Sequence, residues 1–452
     1  MHRLQQQRFI LARGIPLLAL LLLLLMQATA AAQPAGPIYT IRMEGVVNGP
    51  MIEYARRAIQ AAESAGATAL IIELSSSGGV LRDMRVFAGD LAAARVPIVV
   101  YVTPAGTQSG AAGAFLLSGA HMSALAPQTS FGSPYPLTQV DAVLTEQTRN
   151  LVLDSVANQL IAWNAARGRN TEWLDRAVRE GVIINNEQAA ALQPPAVDLI
   201  AASREELLVL LEGRDITLAN GQRVRLTTIG RGTTAIEPTI VESLWLTLAD
   251  PTVAFALLVL GAMAIYLELA SPGIGVFAGS GVVLLIMAAI GLVALPVQPW
   301  GLLLLLGGLF LIGLEFFTPS HGGLTVTGLA LLVIGALNLI DITQAPGTGV
   351  APWVVIVVGL GLSSAAIGGL VLGLRSRSRP TFTGQSSLIG KIAEVRQPLQ
   401  PRGMVFVDGA LWQAISETRP VQRGDHVRVI SVHQLQLIVR PLDEEATENE
   451  TS

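Results

Sequence analysis

The chain has 452 residues, 51% of them hydrophobic, with a mean hydropathy of +0.54 and a net charge of −4. That is too apolar for an ordinary soluble protein of this length, and the apolar excess lies beyond about residue 250, so a soluble part precedes a membrane part. Cysteine is absent, which excludes disulfides and thiolate metal sites; five scattered histidines argue against an imidazole metal cluster, and the lack of a basic stripe argues against a nucleic-acid partner. Lys391 is the only lysine. Arginine stays protonated and does not replace a lysine general base. Nothing in the pattern calls for a cofactor.

Residues 1–32 read as a secretory signal. Arg3, Arg8 and Arg13 form a basic start, Ile15–Met26 an apolar core, and Ala28-Thr29-Ala30 a small-residue cleavage site. The core is short for a spanning helix, which favours cleavage over an uncleaved anchor.

Residues 33–235 alternate strand-like and helical runs, predicting an α/β domain with a mostly parallel sheet. Tyr39-Thr40-Ile41 opens a strand, Ile52–Ala65 is an amphipathic helix, and strand Ala69–Leu74 leads into a helix near Val80–Ala94. Strand Ile98–Val102, small-residue helix Ala111–Ala120, strand His121–Ala126, long helix Leu144–Arg167 and short strand Ala196–Ile200 follow. Two turns stand out: Ser75-Ser76-Ser77-Gly78-Gly79-Val80 and Ser109-Gly110-Ala111-Ala112-Gly113. A strand, a glycine-rich turn and a helix start together aim backbone N–H groups at an anion or oxyanion. Alone, Gly78-Gly79 is equally a tight turn. Ser109 fits a helix N-cap. His121, the only histidine of the region, is expected at the surface or a sheet edge.

The membrane region, 250–375, holds five apolar stretches: Thr252–Leu269, Val276–Leu295, Gly301–Phe317, Leu324–Ile340 and Pro352–Leu374. Most approach the roughly 20 residues that span a bilayer; the third and fourth are short enough to be re-entrant or interfacial. Arg375, Arg377 and Arg379 put the end of the fifth on the cytoplasmic side. An exported N-terminal domain and a cytoplasmic C-terminus need an odd number of spans, and five meets this. Glu268, Glu315 and Asp341 fall at span ends, where interfacial roles are expected, and no mid-membrane charged pair supports a transporter. Residues 384–442 carry five short strand signals separated by turns such as Asp408-Gly409, predicting a small β-barrel with Trp412 in its core. Residues 443–452 form an acidic tail, expected to be disordered.

Signal, α/β domain, clustered spans and small barrel together resemble the long form of the NfeD family, whose N-terminal domain is of the crotonase/ClpP-like serine-peptidase type. The residues carrying the resemblance are Leu74–Gly79, Gly113–Leu117, Leu125-Ala126-Pro127, Arg167-Gly168-Arg169-Asn170 with Glu172-Trp173, and Val407-Asp408-Gly409-Ala410-Leu411-Trp412. The last run looks like the signature of an OB-like C-terminal domain. The resemblance implies a serine–lysine dyad in active members. The serine position falls on Ala111, and the lysine position on Asn150, beside Arg149. Both dyad groups are substituted. The oxyanion and peptide-binding N–H groups carry over to Gly78, Gly79 and Ala112. A methyl group does not attack a carbonyl, and asparagine is no base. The expectation is therefore a non-hydrolytic peptidase-like domain that binds peptide segments or scaffolds a stomatin- or flotillin-like membrane protein, in a homo-oligomer. The alternative is an active endopeptidase with Ser109 as nucleophile.

Overall fold

Strand β1 (Ile38–Glu44) lies inside a six-stranded sheet rather than at its edge. The order is β10 (Thr233–Ala235), β1, β2 (Ala69–Ser75), β3 (Ile98–Val102), β4 (Met122–Leu125) and β7 (Leu199–Ile200), and every adjacent pair is parallel. Parallel strands covered on both faces must be apolar throughout. Accordingly all five residues of β3 and all but the last of β2 are buried. The computed structural model describes residues 36–133, 145–270, 273–315, 317–318, 322–377 and 385–442. The expected signal segment and acidic tail lie outside the described residues.

Helices α1 (Gly49–Ser64), α2 (Leu81–Ala93) and α3 (Gly110–Gly119) connect β1 to β4 in turn. Helix α1 starts cleanly because the Asn48 side chain accepts from the Met51 N–H, and it buries the stripe Ile52, Ala55, Ile59 and Ala62. Helix α3 is buried from Ala111 to Gly119. A Cβ on Gly119 would lie 2.3 Å from the Ala88 carbonyl oxygen of α2, so small residues are what let the two helices meet. Helices α4 (Glu146–Ala165), α5 (Thr171–Glu180), α6 (Asn186–Ala191) and α7 (Arg204–Leu211) follow. The pair β5 (Ser130–Gly132) and β6 (Ile183–Asn185), and the hairpin β8 (Asp215–Thr217) and β9 (Arg223–Arg225), stand apart from the main sheet. The α/β expectation holds. The strand expected over Ala196–Ile200 shrinks to β7, because Asp198 turns its carboxylate onto Ser123 and Arg169.

Helix α8 (Ile240–Leu248) opens with a capping box between Thr239 and Glu242 and exposes Ile240, Val241, Leu244 and Trp245 on one face. The apolar helices α9 (Pro251–Ala270), α10 (Val276–Val293), α11 (Pro299–Glu315), α12 (Gly323–Leu337) and α13 (Pro352–Arg377) follow. By length and apolarity α9 and α10 suffice to cross a bilayer; α11 has 17 residues and α12 has 15. The pairs α9–α10 and α11–α12 are two copies of one hairpin. Gly261 meets Gly281 in the first as Gly308 meets Gly328 in the second, and a Cβ on Gly281 or Gly328 would lie 2.7 Å from the opposing glycine oxygen. Glu268 accepts from the N–H groups of Gly273, Gly275 and Phe277, and Glu315 from those of Gly322 and Thr325. Gly275 (φ +84°) and Gly322 (φ +94°) begin the second helix of each copy.

A second compact unit starts at Gly368. In it β11 (Ile392–Gln397), β12 (Arg402–Val407), β13 (Ala410–Ser416), β15 (Gln436–Pro441) and β14 (His426–His433) close a barrel in that order, antiparallel except for β13–β15. Its core is mostly valine, including Val395, Val405, Val427 and Val439, with Trp412 packed against it. Asp408 and Gly409 both take positive φ, making the two-residue turn that joins β12 to β13. The expected OB-like barrel is present.

Candidate peptide-binding cleft

The two glycine-rich turns lie against each other. Beyond β2 the chain doubles back beside Val47, whose N–H donates to the Gly78 carbonyl (3.1 Å) and whose carbonyl accepts from the Val80 N–H (2.8 Å). A Cβ on Gly79 would lie 2.1 Å from that Val47 oxygen, and one on Gly110 (φ +42°) 2.2 Å from the Ser77 oxygen. Glycine is therefore required at both positions by close backbone approach. The Ser109 Oγ donates to the Ser76 carbonyl (3.1 Å), which stitches one turn to the other. Ala111 and Ala112 sit in the first turn of α3, where N–H groups have no partner within the helix.

The structure thus brings Gly78, Gly79, Ser109, Ala111 and Ala112 into one site. Asn150 is on α4, which packs against α3. It extends the buried stripe Leu153, Val156, Ala157, Leu160 and Asn164 by one turn, but is itself exposed. Ala111 is 3% exposed and offers a methyl group.

Two expectations are corrected. Ser109 occupies the N-cap position of α3 without capping it: its hydroxyl is fully buried and committed to Ser76. His121 is buried, not at the surface. Its Nδ1 accepts from the Ile98 N–H (3.2 Å), and burial, reinforced by Arg167 and Arg169, pushes its pKa down to about 4. It is neutral at physiological pH and lies at the other end of α3, roughly 15 Å of helix from Ala111.

The Arg167-Gly168-Arg169-Asn170 run supports the same helix. Arg169 donates to the carbonyls of Leu117 (2.7 Å), Ala120 (3.1 Å) and His121 (3.3 Å) while paired with Asp198 (2.7 Å). Arg167 donates to those of Ser118 (3.3 Å) and Gly119 (3.0 Å), and burial next to Arg169 lowers its pKa to about 10. Two guanidinium groups therefore terminate α3, favourably placed at the negative end of its dipole. Asn170 caps α5 by accepting from the Trp173 N–H, and Trp173 stacks edge-on against Phe131 at 5.0 Å.

Sequence reading missed what packs against the first glycine-rich turn. The Gly79 N–H donates to the Pro346 carbonyl (3.2 Å), the Leu81 N–H to the Gln344 carbonyl (2.7 Å), and the Ser77 Oγ to the Gly347 carbonyl (2.8 Å). This segment comes from the connection between α12 and α13. A Cβ on Gly78 would lie 1.8 Å from the Pro346 oxygen, so the first glycine of the turn is demanded by this neighbour.

Residues 252–373 match the NfeD integral membrane domain, and residues 385–441 the NfeD-like C-terminal, partner-binding domain. Over 416 residues the chain is 27% identical to the membrane-bound protease PH1510 of Pyrococcus horikoshii, covering 89% of this chain and 92% of that protein. It is 25% identical over 445 residues to the membrane protein NfeD1b of Bacillus subtilis, covering 94% and 97%. Among solved structures, the 1510-N membrane protease specific for a stomatin homolog, from Pyrococcus horikoshii, is 24% identical, with a TM-score of 0.40, over 48% of this chain and 99% of that one. ClpP1 from Listeria monocytogenes is matched at 16% identity, with a TM-score of 0.30, over 37% of this chain and 94% of that one.

Proposed function

We propose that the chain is an NfeD-family membrane protein whose ClpP-type N-terminal domain binds extended peptide segments without hydrolysing them. The observation that carries the reading is a dissociation of two functions. The Gly79 N–H holds a peptide carbonyl, as an oxyanion donor would, while Ala111 stands where the resemblance places the nucleophile. Ser109 does not substitute for it. Its hydroxyl is buried against Ser76, and no lysine precedes Lys391 to deprotonate it.

In this reading the protein is a membrane adaptor and self-associates through its N-terminal domain. The barrel contacts a stomatin- or flotillin-like membrane protein. The relatives support that partner: one is described as specific for a stomatin homolog, and the matching C-terminal domain is described as partner-binding. The N-terminal domain is exported and the barrel cytoplasmic. This is supported by the bond from Gly79 to the α12–α13 connection, since five crossings put that connection on the exported side.

A fluorophosphonate probe tests the central claim. The full-length protein in detergent is expected to stay unlabelled. Labelling that the Ser109→Ala variant abolishes would overturn the adaptor reading in favour of an active endopeptidase.

A further inference from the structure

From Ser77 to Leu81 the first glycine-rich turn is hydrogen-bonded along its length to the connection between α12 and α13. Gly79 is bonded to Pro346 and Leu81 to Gln344, so the partner runs in the opposite direction, two residues for two. A third bond, from the Ser77 Oγ to the Gly347 carbonyl, extends the contact by one residue. The fit extends to side chains. Ala345 is fully buried, and Val46 and Val80 pack against the same apolar cluster that contains Leu339, Ile340, Ala345 and Val350. Gly347 has φ +73°, and a Cβ on it would lie 2.7 Å from the Ser77 oxygen. The segment is presented from a built loop. Asp341 accepts from the Thr343 N–H (3.0 Å), the Thr343 hydroxyl (2.6 Å) and the Gln344 side-chain amide (2.7 Å). The loop base is tied to the connection between α10 and α11 by Asp341 N–H to the Pro296 carbonyl and Gln298 N–H to the Leu339 carbonyl, both at 2.8 Å.

We propose that Gln344–Gly347 is the resident ligand of the peptide edge. This segment of the membrane region occupies the site that an incoming extended peptide would take, and an external peptide pairs with Gly79 and Leu81 only when the segment withdraws. The occupant defines the ligand class. It is a turn-forming segment with acceptor carbonyls two residues apart, a small residue buried between them, and a glycine just beyond. The cleft then has two uses. With the segment in place it clamps the N-terminal domain onto the membrane helices; with it out, the same N–H groups are open. The inference deepens the peptide-binding reading, but the identity of the occupant stands independently of whether any external peptide is found.

The absence of cysteine makes the test direct. Val80 and Ala345 lie between the two bonded pairs and belong to the same apolar cluster, so cysteines placed there are expected to bridge while the segment is seated. The full-length Val80→Cys/Ala345→Cys protein in lipid nanodiscs, treated with copper–phenanthroline, is expected to lose both thiols to an intramolecular link found by mass spectrometry. Adding Gly347→Val is expected to reduce the link at least fivefold. Absence of the link in the doubly substituted protein overturns the proposal. The second arm uses a fluorescent peptide with the sequence of residues 341–348. An intramolecular occupant competes at a millimolar effective concentration. Gly347→Val is therefore expected to bind this peptide at least tenfold more tightly than the unsubstituted chain, and the cross-linked protein not to bind it. Equal binding by all three forms overturns the displacement half of the proposal. A link that forms while no form binds peptide keeps the occupant and removes the external-peptide reading.

Discussion

Burial of His121 beside Arg167 and Arg169 makes the N-terminal domain acid-sensitive. Its folded pKa is about 4 against an ordinary 6.5. Between those values the unfolded chain takes up a proton that the folded one refuses, so stability falls as pH drops below 6.5 and the loss is complete near 4. A shift of this size corresponds to on the order of 3 kcal/mol. His121→Gln retains an acceptor for the Ile98 N–H and carries no proton. Thermal unfolding of the two proteins from pH 7 to pH 4 is expected to show a shallower acid loss for the variant; parallel curves would refute it. The site residues differ in how far sequence reading could reach them. Gly78, Gly79, Ala111 and Ala112 come together as their turns suggested, because strand–turn–helix junctions leave a mark in local composition. His121 was misplaced because a single polar residue before a short strand does not reveal what packs over it. The bond from Ser109 to Ser76 joins turns separated by a strand and a helix, which no local pattern records.

At the scale of elements, the duplicated membrane hairpin depends on a carboxylate gathering backbone N–H groups at the tip. Glu268 accepts from three and Glu315 from at least two. Glu268→Ala removes that acceptor and leaves the start of α10 to find other partners. A cost of about 1–3 kcal/mol is expected, read as a lower melting temperature of the full-length protein in detergent, with Glu268→Gln losing less. An unchanged melting temperature for Glu268→Ala would argue against the role. Sequence reading treated these residues as interfacial charges at span ends. The recurrence of glutamate and glycines at a constant interval was present in the chain, but an apolar background of leucine and glycine hides it from periodicity alone. The strands and helices up to β4 were legible for the opposite reason, since apolar runs bounded by turns alternate there. Strand β10 was not: three residues, Thr233–Ala235, owe their strand state to pairing with β1.

Across the whole molecule the three-part order of α/β domain, apolar helices and small barrel was readable from composition shifts. The contact between the first two parts was not, because Ser77 and Gly347 are 270 residues apart. The proposed five-crossing arrangement puts the exposed Ile274 on the cytoplasmic side and the exposed Gly349 on the exported side. In spheroplasts, a membrane-impermeant maleimide is expected to label Gly349→Cys directly, and Ile274→Cys only after permeabilisation. The reverse pattern would invert the orientation.

The position of β1 between β2 and β10 also sets an order of assembly. Its second neighbour is synthesised nearly two hundred residues later, just ahead of the apolar helices. One flank of β1 therefore stays bare while those residues are made, a long-range pairing that is slow to form and open to aberrant association meanwhile. Completion of the sheet and arrival of the chain at the lipid become nearly simultaneous events.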